Sequence, residues 1–280
     1  MRNMLVTLRD ILAAADCRGY AVGLFNMLNL ETARGIIEAA EAERSPVILG
    51  VAEVHLPVIP FEYASLIMKA IAERASVPVC LHFDHGTEYD KILAALKAGF
   101  TSVMYDGSAL AYEENIRRTK EIVRVAHAMG ASVEAELGHV GGAEDGADDG
   151  VSARYTDPEQ VVDFVEKTRV DALAVAIGTA HGQYRAKPVL DIPRLGEIYR
   201  RSPVPLVLHG GSGLSDADFR NTIQNGIRKI NICTELCLAA DGAYKTGDGF
   251  ENSVMEAKDR VRETAAARMR LFGSAGAAER

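Results

Sequence analysis

Short apolar runs alternate with longer amphipathic segments along the whole chain. Apolar runs of strand length between helix-length periodic segments are typical of repeated βα units and a parallel sheet. The pattern predicts eight strands, at Tyr20–Asn26, Pro46–Ala52, Val77–His85, Ser102–Asp106, Ser132–Gly138, Ala172–Gly178, Pro205–Gly210 and Ile227–Cys233. It predicts helices at Glu31–Arg44, Tyr63–Arg74, Tyr89–Ala98, Glu113–Met129, Pro158–Thr168, Ile192–Arg200, Asp216–Asn225 and Thr234–Ala243.

Eight such units are the number in a (β/α)8 TIM barrel, and we predict this α/β fold. A doubly wound open sheet is the alternative, but such sheets typically carry a GxGxxG turn, which this sequence lacks. No linker or low-complexity tract divides the chain, so we predict one domain over residues 1–280. A short helix from Thr7 to Ala15 is predicted before the barrel. An extra C-terminal helix at Asn252–Leu271 is predicted after it, followed by a small mobile tail.

Composition excludes several classes of protein. The net charge is −8 and the cationic residues are scattered, which argues against binding to nucleic acid. No apolar run approaches the ~20 residues that a membrane helix needs, and Arg9 and Asp10 interrupt any secretory signal. The four cysteines form no CxxC pair, which favours free thiols and a reducing, cytoplasmic compartment.

Three of the seven histidines lie at or just beyond strand ends, each directly before a glycine: His85, His181 and His209. The carboxyl ends of barrel strands meet at one mouth, where barrel active sites lie. Three neutral imidazoles with one open position describe a catalytic zinc site. A lone histidine is more often an ordinary core or surface residue, and we assign the others to that class: His55, His82, His127 and His139.

Acidic residues accompany the histidines. Asp84 directly precedes His85, where a carboxylate can act as an acid or base or can orient a ligand histidine; adjacency does not choose between these roles. Glu134 and Glu136 face the same side of their strand, where buried acids need a metal or a cation. Glu144 lies on the glycine-rich, acidic loop 139–155, where it could act as a mobile base; the alternative is a solvated acidic loop.

Glycines and small polar residues follow the last two predicted strands. Gly210-Gly211-Ser212-Gly213 follows the seventh, and Asn231-Ile232-Cys233-Thr234 follows or ends the eighth. Phosphate sites in barrels commonly use these loops, because exposed backbone N–H groups and hydroxyls close on the anion. A GGSG segment alone is often only a turn, but at this location it predicts a phosphorylated substrate.

Two long segments resemble the signatures of the class II fructose/tagatose-bisphosphate aldolases. They are PVCLHFDHG at Pro78–Gly86 and VEAELGHVGGAE at Val133–Glu144. The His181-Gly182, HGGSG and NxxT elements follow in the family's order, and the resemblance covers essentially the whole chain. It implies reversible cleavage of a ketose 1,6-bisphosphate to dihydroxyacetone phosphate and an aldehyde such as glyceraldehyde 3-phosphate, through a zinc-stabilised enediolate.

The resemblance also implies roles for single residues. His85, His181 and His209 would hold zinc. Asp84 would exchange a proton with the aldehyde oxygen, and Glu144 would take one from dihydroxyacetone phosphate. Asp106 and Glu136, with Glu134, are candidates for a second, weaker divalent-ion position or for orienting the first ion. Substrate contacts would come from Asn26, Gly182, Gly210, Gly211, Ser212, Asn231, Ile232, Cys233 and Thr234. Family members also use a monovalent cation, Na⁺ or K⁺, near Gly182 and Gly210, and form homodimers or tetramers.

Three positions depart from the fructose-bisphosphate pattern. Ala52 replaces a serine or threonine, and Arg185 replaces lysine. Cys233 stands where fructose-specific members tend to have aspartate and tagatose-type members alanine. Ala52 and Cys233 affect the half of the pocket that receives the aldehyde. Fructose 1,6-bisphosphate is the favoured substrate, with tagatose 1,6-bisphosphate and a phosphorylated keto-deoxy-gluconate from inositol breakdown as alternatives. An inactive partner subunit or a zinc hydrolase on the same barrel is disfavoured by the full set of Asp84, Glu144 and histidines. Lys229, the only lysine within a predicted strand, shows no feature of a nucleophile.

Overall fold

A computed structural model describes residues 4–142, 153–184 and 187–279. Eight parallel strands form a closed barrel in chain order: β1 (Val22–Asn26), β2 (Val47–Ala52), β3 (Val79–Gly86), β4 (Ser102–Tyr105), β5 (Ser132–Leu137), β6 (Ala172–Val175), β7 (Leu206–Leu208) and β8 (Ile227–Ile232). The helices of the described residues are α1 (Leu8–Arg18), α2 (Leu30–Ala42), α3 (Phe61–Ala72), α4 (Tyr89–Lys97), α5 (Tyr112–Ala128), α6 (Val161–Thr168), α7 (Ile192–Arg201), α8 (Asp216–Gln224), α9 (Thr234–Thr246) and α10 (Phe250–Phe272). None of them is long and apolar enough to cross a membrane.

The predicted (β/α)8 barrel is confirmed, and each predicted strand overlaps an observed one. The strands are buried along almost their whole length, with His85 as the partly exposed position. Helices cover the outside of the barrel and side chains fill its inside, so both faces of every strand are removed from water. This double burial explains why the strands appear in the sequence as continuous apolar runs.

The barrel interior changes character from one end to the other. Towards the amino ends of the strands it is apolar, with Val22, Leu24, Ile48, Cys80 and Val207 packed against α1. Helix α1 contacts β1, β3, β5 and β8, and so closes this end. Towards the carboxyl ends, alternate interior positions carry polar and charged side chains that are also buried: Asn26, His82, Asp84, Glu134, His209, Lys229 and Asn231.

The extra C-terminal helix is confirmed as α10, which packs on α2 and α9. The prediction of a mobile tail is wrong for the residues described after it. Ser274 is fully buried and accepts a hydrogen bond from Ser45 Oγ at 2.8 Å. The backbone N–H of Ala278 donates to the carbonyl of Arg44 at 2.9 Å. The small side chains of the tail, which suggested mobility in the sequence, instead let it pack closely against the body of the protein.

Candidate active site

Three histidines meet at the carboxyl end of the barrel. His85 is the penultimate residue of β3, His209 directly follows β7, and His181 lies in the segment after β6. The ring centroids are 4.5 Å apart for His85 and His209, 4.7 Å for His85 and His181, and 5.7 Å for His181 and His209. One nitrogen from each ring lies within 4.8 Å of the others, so the three can face one metal ion.

The second nitrogen of each ring contacts a hydrogen-bond acceptor. The contacts are His85 Nδ1 with Asp106 Oδ2 at 2.9 Å, His181 Nδ1 with the Gly142 carbonyl at 3.2 Å, and His209 Nε2 with Glu134 Oε1 at 2.8 Å. Such partners set the tautomer and the ring orientation of metal-binding histidines. They leave His85 Nε2, His181 Nε2 and His209 Nδ1 as the nitrogens that face the common point.

The three ring nitrogens that face the common point are better suited to binding a metal ion than to hydrogen bonding with one another. His85 Nε2 and His209 Nδ1 are 2.8 Å apart, so one of them must carry a proton when no ion lies between them. His181 Nε2 is buried and has no hydrogen-bond partner among the described residues. Burial lowers the pKa of His181 well below its ordinary value, and the neighbouring His85 and His209 lower it further. Neutral imidazole is the form that binds a metal, so these donors fit a divalent transition-metal ion.

Strand β3 directs two adjacent residues into the mouth. Regular alternation would send Asp84 and His85 to opposite sides of the strand. The register between β3 and β4 shifts between Phe83 and Gly86, and His85 has a left-handed φ of 49°. Irregularities of this kind re-aim a side chain, and a non-glycine residue in this region costs about 1–3 kcal/mol. The strained turn therefore brings His85 to the other histidines while Asp84 stays inside the barrel.

Asp84 is fully buried and held by amide groups. Its Oδ2 accepts hydrogen bonds from Nδ2 of Asn26 and Nδ2 of Asn231, both at 3.0 Å, and His82 Nε2 lies 3.5 Å from its Oδ1. Burial alone would raise the pKa of Asp84, but His85 and the hydrogen bond from His82 hold it well below its ordinary value. The side chain is therefore a fixed carboxylate beside the histidine cluster.

A buried ion pair lies beside this carboxylate. Lys229 Nζ is 2.9 Å from Glu134 Oε2 and 2.7 Å from Asn231 Oδ1, and neither Lys229 nor Glu134 is exposed. Burial opposes ionisation of Glu134, but Lys229 and the hydrogen bond with His209 lower its pKa to about 2. Lys229 and His209 thus keep the carboxylate of Glu134 ionised although it is shielded from water.

A second group consists of His85, Asp106 and Glu136, whose ligand atoms also lie within 4.8 Å of one another. Asp106 accepts a hydrogen bond from Ser108 Oγ at 2.6 Å. Glu136 Oε1 accepts the backbone N–H of Val140 at 2.8 Å. Burial first, and then the charge of Asp106, raise the pKa of Glu136 to about 8. A fully buried carboxylate and a partly buried one this close together can bind either a proton or a cation.

A cavity of about 310 Å³ opens over the ends of β7 and β8. Its lining includes Gly182, Ser212, Gly213, Thr234 and Arg268. Gly210, beside it, has a φ of 65°, and a Cβ there would lie 2.4 Å from the carbonyl oxygen of Ala180. Only glycine allows that close approach of two backbones. The cavity presents the hydroxyls of Ser212 and Thr234, and its Arg268 is paired with Glu235 in the same lining.

The family model for class II fructose-bisphosphate aldolase matches residues 6–277. The chain belongs to this family. It is 44% identical over 278 residues to the Escherichia coli protein YdjI, covering 99% of this chain and 100% of that protein. It is 41% identical over 285 residues to a probable fructose-bisphosphate aldolase of Bacillus subtilis, covering 98% of this chain and 99% of that protein.

Solved structures agree with this membership. The crystal structure of the YdjI aldolase matches with a TM-score of 0.90 and 42% identity, over 98% of this chain and 100% of that one. A putative fructose-1,6-bisphosphate aldolase from Coccidioides immitis matches with a TM-score of 0.91 and 29% identity, over 99% of each chain. The protein is therefore a class II aldolase, an aldehyde-lyase of a family that acts on phosphorylated sugars and is generally metal-dependent.

The structure brings most of the predicted site residues of this aldolase to one mouth. Gly211 donates its backbone N–H to the Asn231 carbonyl at 3.3 Å, Cys233 precedes α9, and the Ile232 side chain packs in the core. Glu144 and Arg185 lie outside the described residues. Sequence reasoning treated Lys229 and His82 as ordinary residues, yet both touch the buried carboxylates. Strand alternation was the available signal, because Lys229 shares a strand face with Asn231 and His82 shares one with Asp84.

Proposed function

We propose that this aldolase reversibly cleaves a ketose 1,6-bisphosphate, with fructose 1,6-bisphosphate favoured, to dihydroxyacetone phosphate and an aldehyde such as glyceraldehyde 3-phosphate. The observation that carries the proposal is the convergence of one nitrogen from each of His85, His181 and His209 beside the buried carboxylate of Asp84. Relatives named fructose-bisphosphate aldolase support the choice of sugar.

The three histidines would hold a zinc ion, which favours nitrogen ligands and keeps an open position in catalytic sites. When bound, zinc supplies a Lewis acid that polarises the substrate carbonyl. The protein's own contribution is orientation: Asp106, the Gly142 carbonyl and Glu134 each fix one ring. Asp106 and Glu136 are also the candidates for a second divalent ion. Gly182 and Gly210 are the candidates for binding Na⁺ or K⁺.

Two carboxyl groups would move protons in the reaction. Asp84, held by Asn26 and Asn231, would take the proton of the C4 hydroxyl during cleavage and return it in the reverse direction. Glu144 is proposed, from the resemblance alone, as the group that exchanges a proton with the carbon of dihydroxyacetone phosphate.

The phosphate would bind in the cavity over β7 and β8. The hydroxyls of Ser212 and Thr234, which line the cavity, would be donors, together with the backbone N–H of Gly210 beside it. The N–H of Gly211 could join them only by giving up its bond to the Asn231 carbonyl. None of the four cysteines forms a disulfide in the structure, which supports a reducing, cytoplasmic location, and the family resemblance supports a homodimer or tetramer.

A coupled cleavage assay tests the proposal. Purified protein is assayed with and without a chelator on fructose 1,6-bisphosphate, tagatose 1,6-bisphosphate and the keto-deoxy-gluconate phosphate. We expect chelator-sensitive release of dihydroxyacetone phosphate or glyceraldehyde 3-phosphate from the fructose sugar. Cleavage of only another sugar would overturn the favoured substrate. Cleavage that survives complete removal of metal would overturn the zinc site.

The role of Glu144 is tested separately. We expect Glu144→Ala to keep zinc and to bind dihydroxyacetone phosphate, but to slow tritium exchange from its carbon, because the proton acceptor is removed. Unchanged exchange would place the base elsewhere, with Glu134 and Glu136 the next residues to test.

A further inference from the structure

We infer that Lys229 is a positioning residue of the active site: its buried ammonium group holds Glu134 against His209 and holds the amide of Asn231 towards Asp84. The inference rests on the proposed metal site and adds a residue to it. Lys229 touches neither the proposed ion nor the substrate pocket, so it acts through its two neighbours.

The first branch runs to the metal ligand. Lys229 Nζ is 3.1 Å from Glu134 Oε1 and 2.9 Å from Oε2, and the same Oε1 is 2.8 Å from His209 Nε2. All three side chains are fully buried. A carboxylate in such a place needs a counter-charge to stay ionised, and an ionised carboxylate is the stronger acceptor for the ring N–H of His209. Lys229 therefore supports the orientation and basicity of a ligand from the barrel interior.

The second branch runs to the proposed proton carrier. An ammonium group has donors only, so the Asn231 atom that lies 2.7 Å from Lys229 Nζ must be the amide oxygen. The amide nitrogen of Asn231 then points the other way and donates to Asp84 Oδ2 at 3.0 Å and to Oδ1 at 3.2 Å. It also lies 3.3 Å from His209 Nδ1. Without Lys229, the amide could turn over and present its oxygen to the carboxylate.

The fold does not need a charge at this position. Apolar residues of similar volume commonly serve a protein interior as well as a buried ion pair does, or better. The barrel interior towards the amino ends of the strands is apolar, with residues such as Leu24 and Ile48. Among the described residues, Lys229 is the one cationic side chain that contacts Glu134 and Asn231. What its charge adds is a fixed direction for two hydrogen bonds that reach the active site.

The main test is Lys229→Met, which keeps the volume of the side chain and removes the charge. Lys258→Met is the matched control, because Lys258 is also buried and paired, with Glu38, but lies on α10 away from the mouth. Zinc affinity of the metal-free protein is measured by competition with a chelator, and kcat and KM are measured on the loaded enzyme. We expect Lys229→Met to weaken zinc binding by about 10–100-fold, the usual effect of losing support for a ligand, and to lower kcat more than KM changes. Lys258→Met should leave both unchanged.

Wild-type zinc affinity and kcat in folded Lys229→Met would overturn the inference. Zinc binding by the wild-type protein is measured first, and its failure would count against the proposed function instead. If Lys229→Met does not fold, Glu134→Gln is compared with the double variant Lys229→Met/Glu134→Gln, which buries no unpaired charge. We expect nearly equal zinc affinity in these two proteins, because Glu134 is the main link from Lys229 to His209, and a lower kcat in the double variant through the freed Asn231. A large further loss of zinc affinity in the double variant, or equal kcat values, would contradict this arrangement.

Discussion

The two ends of the barrel use carboxylates and histidines in opposite ways. At the amino end, the side chain of Asp171 is 3% exposed and accepts hydrogen bonds from Arg9, from the backbone N–H of Val133 at 2.7 Å, and from His127 Nε2 at 2.9 Å. These contacts join α1, α5 and β5 to the start of β6. They tie these elements together, and His127 belongs to none of the clusters of metal-binding side chains among the described residues.

At the carboxyl end the same residue types leave one nitrogen of each ring directed at a shared point. Asp106 and Glu134 each hold the far side of a histidine, while the near sides of His85, His181 and His209 converge. The difference teaches that orientation, and not composition, marks the functional end. The carboxylate–histidine contact at the amino end stands alone, whereas at the carboxyl end three rings held by acceptors leave their second nitrogens facing one point.

The largest expected effect separates the two ends directly. We expect His209→Ala to lose both tightly bound zinc and cleavage, since three ligands become two. His127→Ala, at the amino end, should keep full metal content and lose only stability. Metal analysis of the purified proteins and the coupled assay measure both. Stoichiometric zinc retained by His209→Ala would refute its assignment as a ligand.

The next effect concerns the role of Asp84, which its position in the sequence left open. If Asp84 carries a proton, Asp84→Asn lowers kcat by about 10²–10⁴-fold, the usual contribution of a general acid or base, and keeps zinc affinity. Chelator competition and steady-state kinetics separate the alternatives. A parallel fall in zinc affinity and kcat would show that Asp84 instead orients the ligand histidine beside it.

A smaller effect is expected at the amino end, on stability alone. Asp171→Ala leaves the backbone N–H of Val133 buried without its acceptor, and such a loss costs about 1–3 kcal/mol. Arg9 is mostly exposed, so its ion pair with Asp171 adds little. Denaturant unfolding should show the loss, while kcat per folded molecule stays unchanged. A lower kcat would mean that the structural change at the amino end of the barrel also disturbs the active site at the carboxyl end.

Much of this molecule could be predicted from sequence because its signals are periodic or local. Apolar runs placed all eight strands, and the strand ends placed His85, His181 and His209 at one mouth. The turn that carries His85 could not be predicted, because its left-handed backbone depends on how β3 meets β4. Lys229 was missed for a similar reason, since its partner Glu134 lies 95 residues away in the chain.

The smallest expected effect concerns Glu136, which has been placed by resemblance at a second ion position. Burial and Asp106 raise its pKa from the ordinary 4.5 to about 8, so the folded protein binds a proton that the unfolded chain releases at lower pH. The stability contributed by that proton is present below about pH 4.5 and is lost as pH rises towards about 8. Glu136→Gln keeps an acceptor for the N–H of Val140 and removes the titration.

The stability of the metal-free wild-type protein should therefore fall more steeply between about pH 5 and pH 8 than that of Glu136→Gln. Melting temperatures across this range measure the difference, and two parallel curves would count against a raised pKa. The same comparison tests the second ion. If Asp106 and Glu136 bind one, an added divalent ion should restore stability at about pH 8 in the wild type more than in the variant, because only the wild type still offers two carboxylates. An equal gain in stability in both proteins would mean that the ion binds only to the three histidines. Asp106 would then serve only to orient His85.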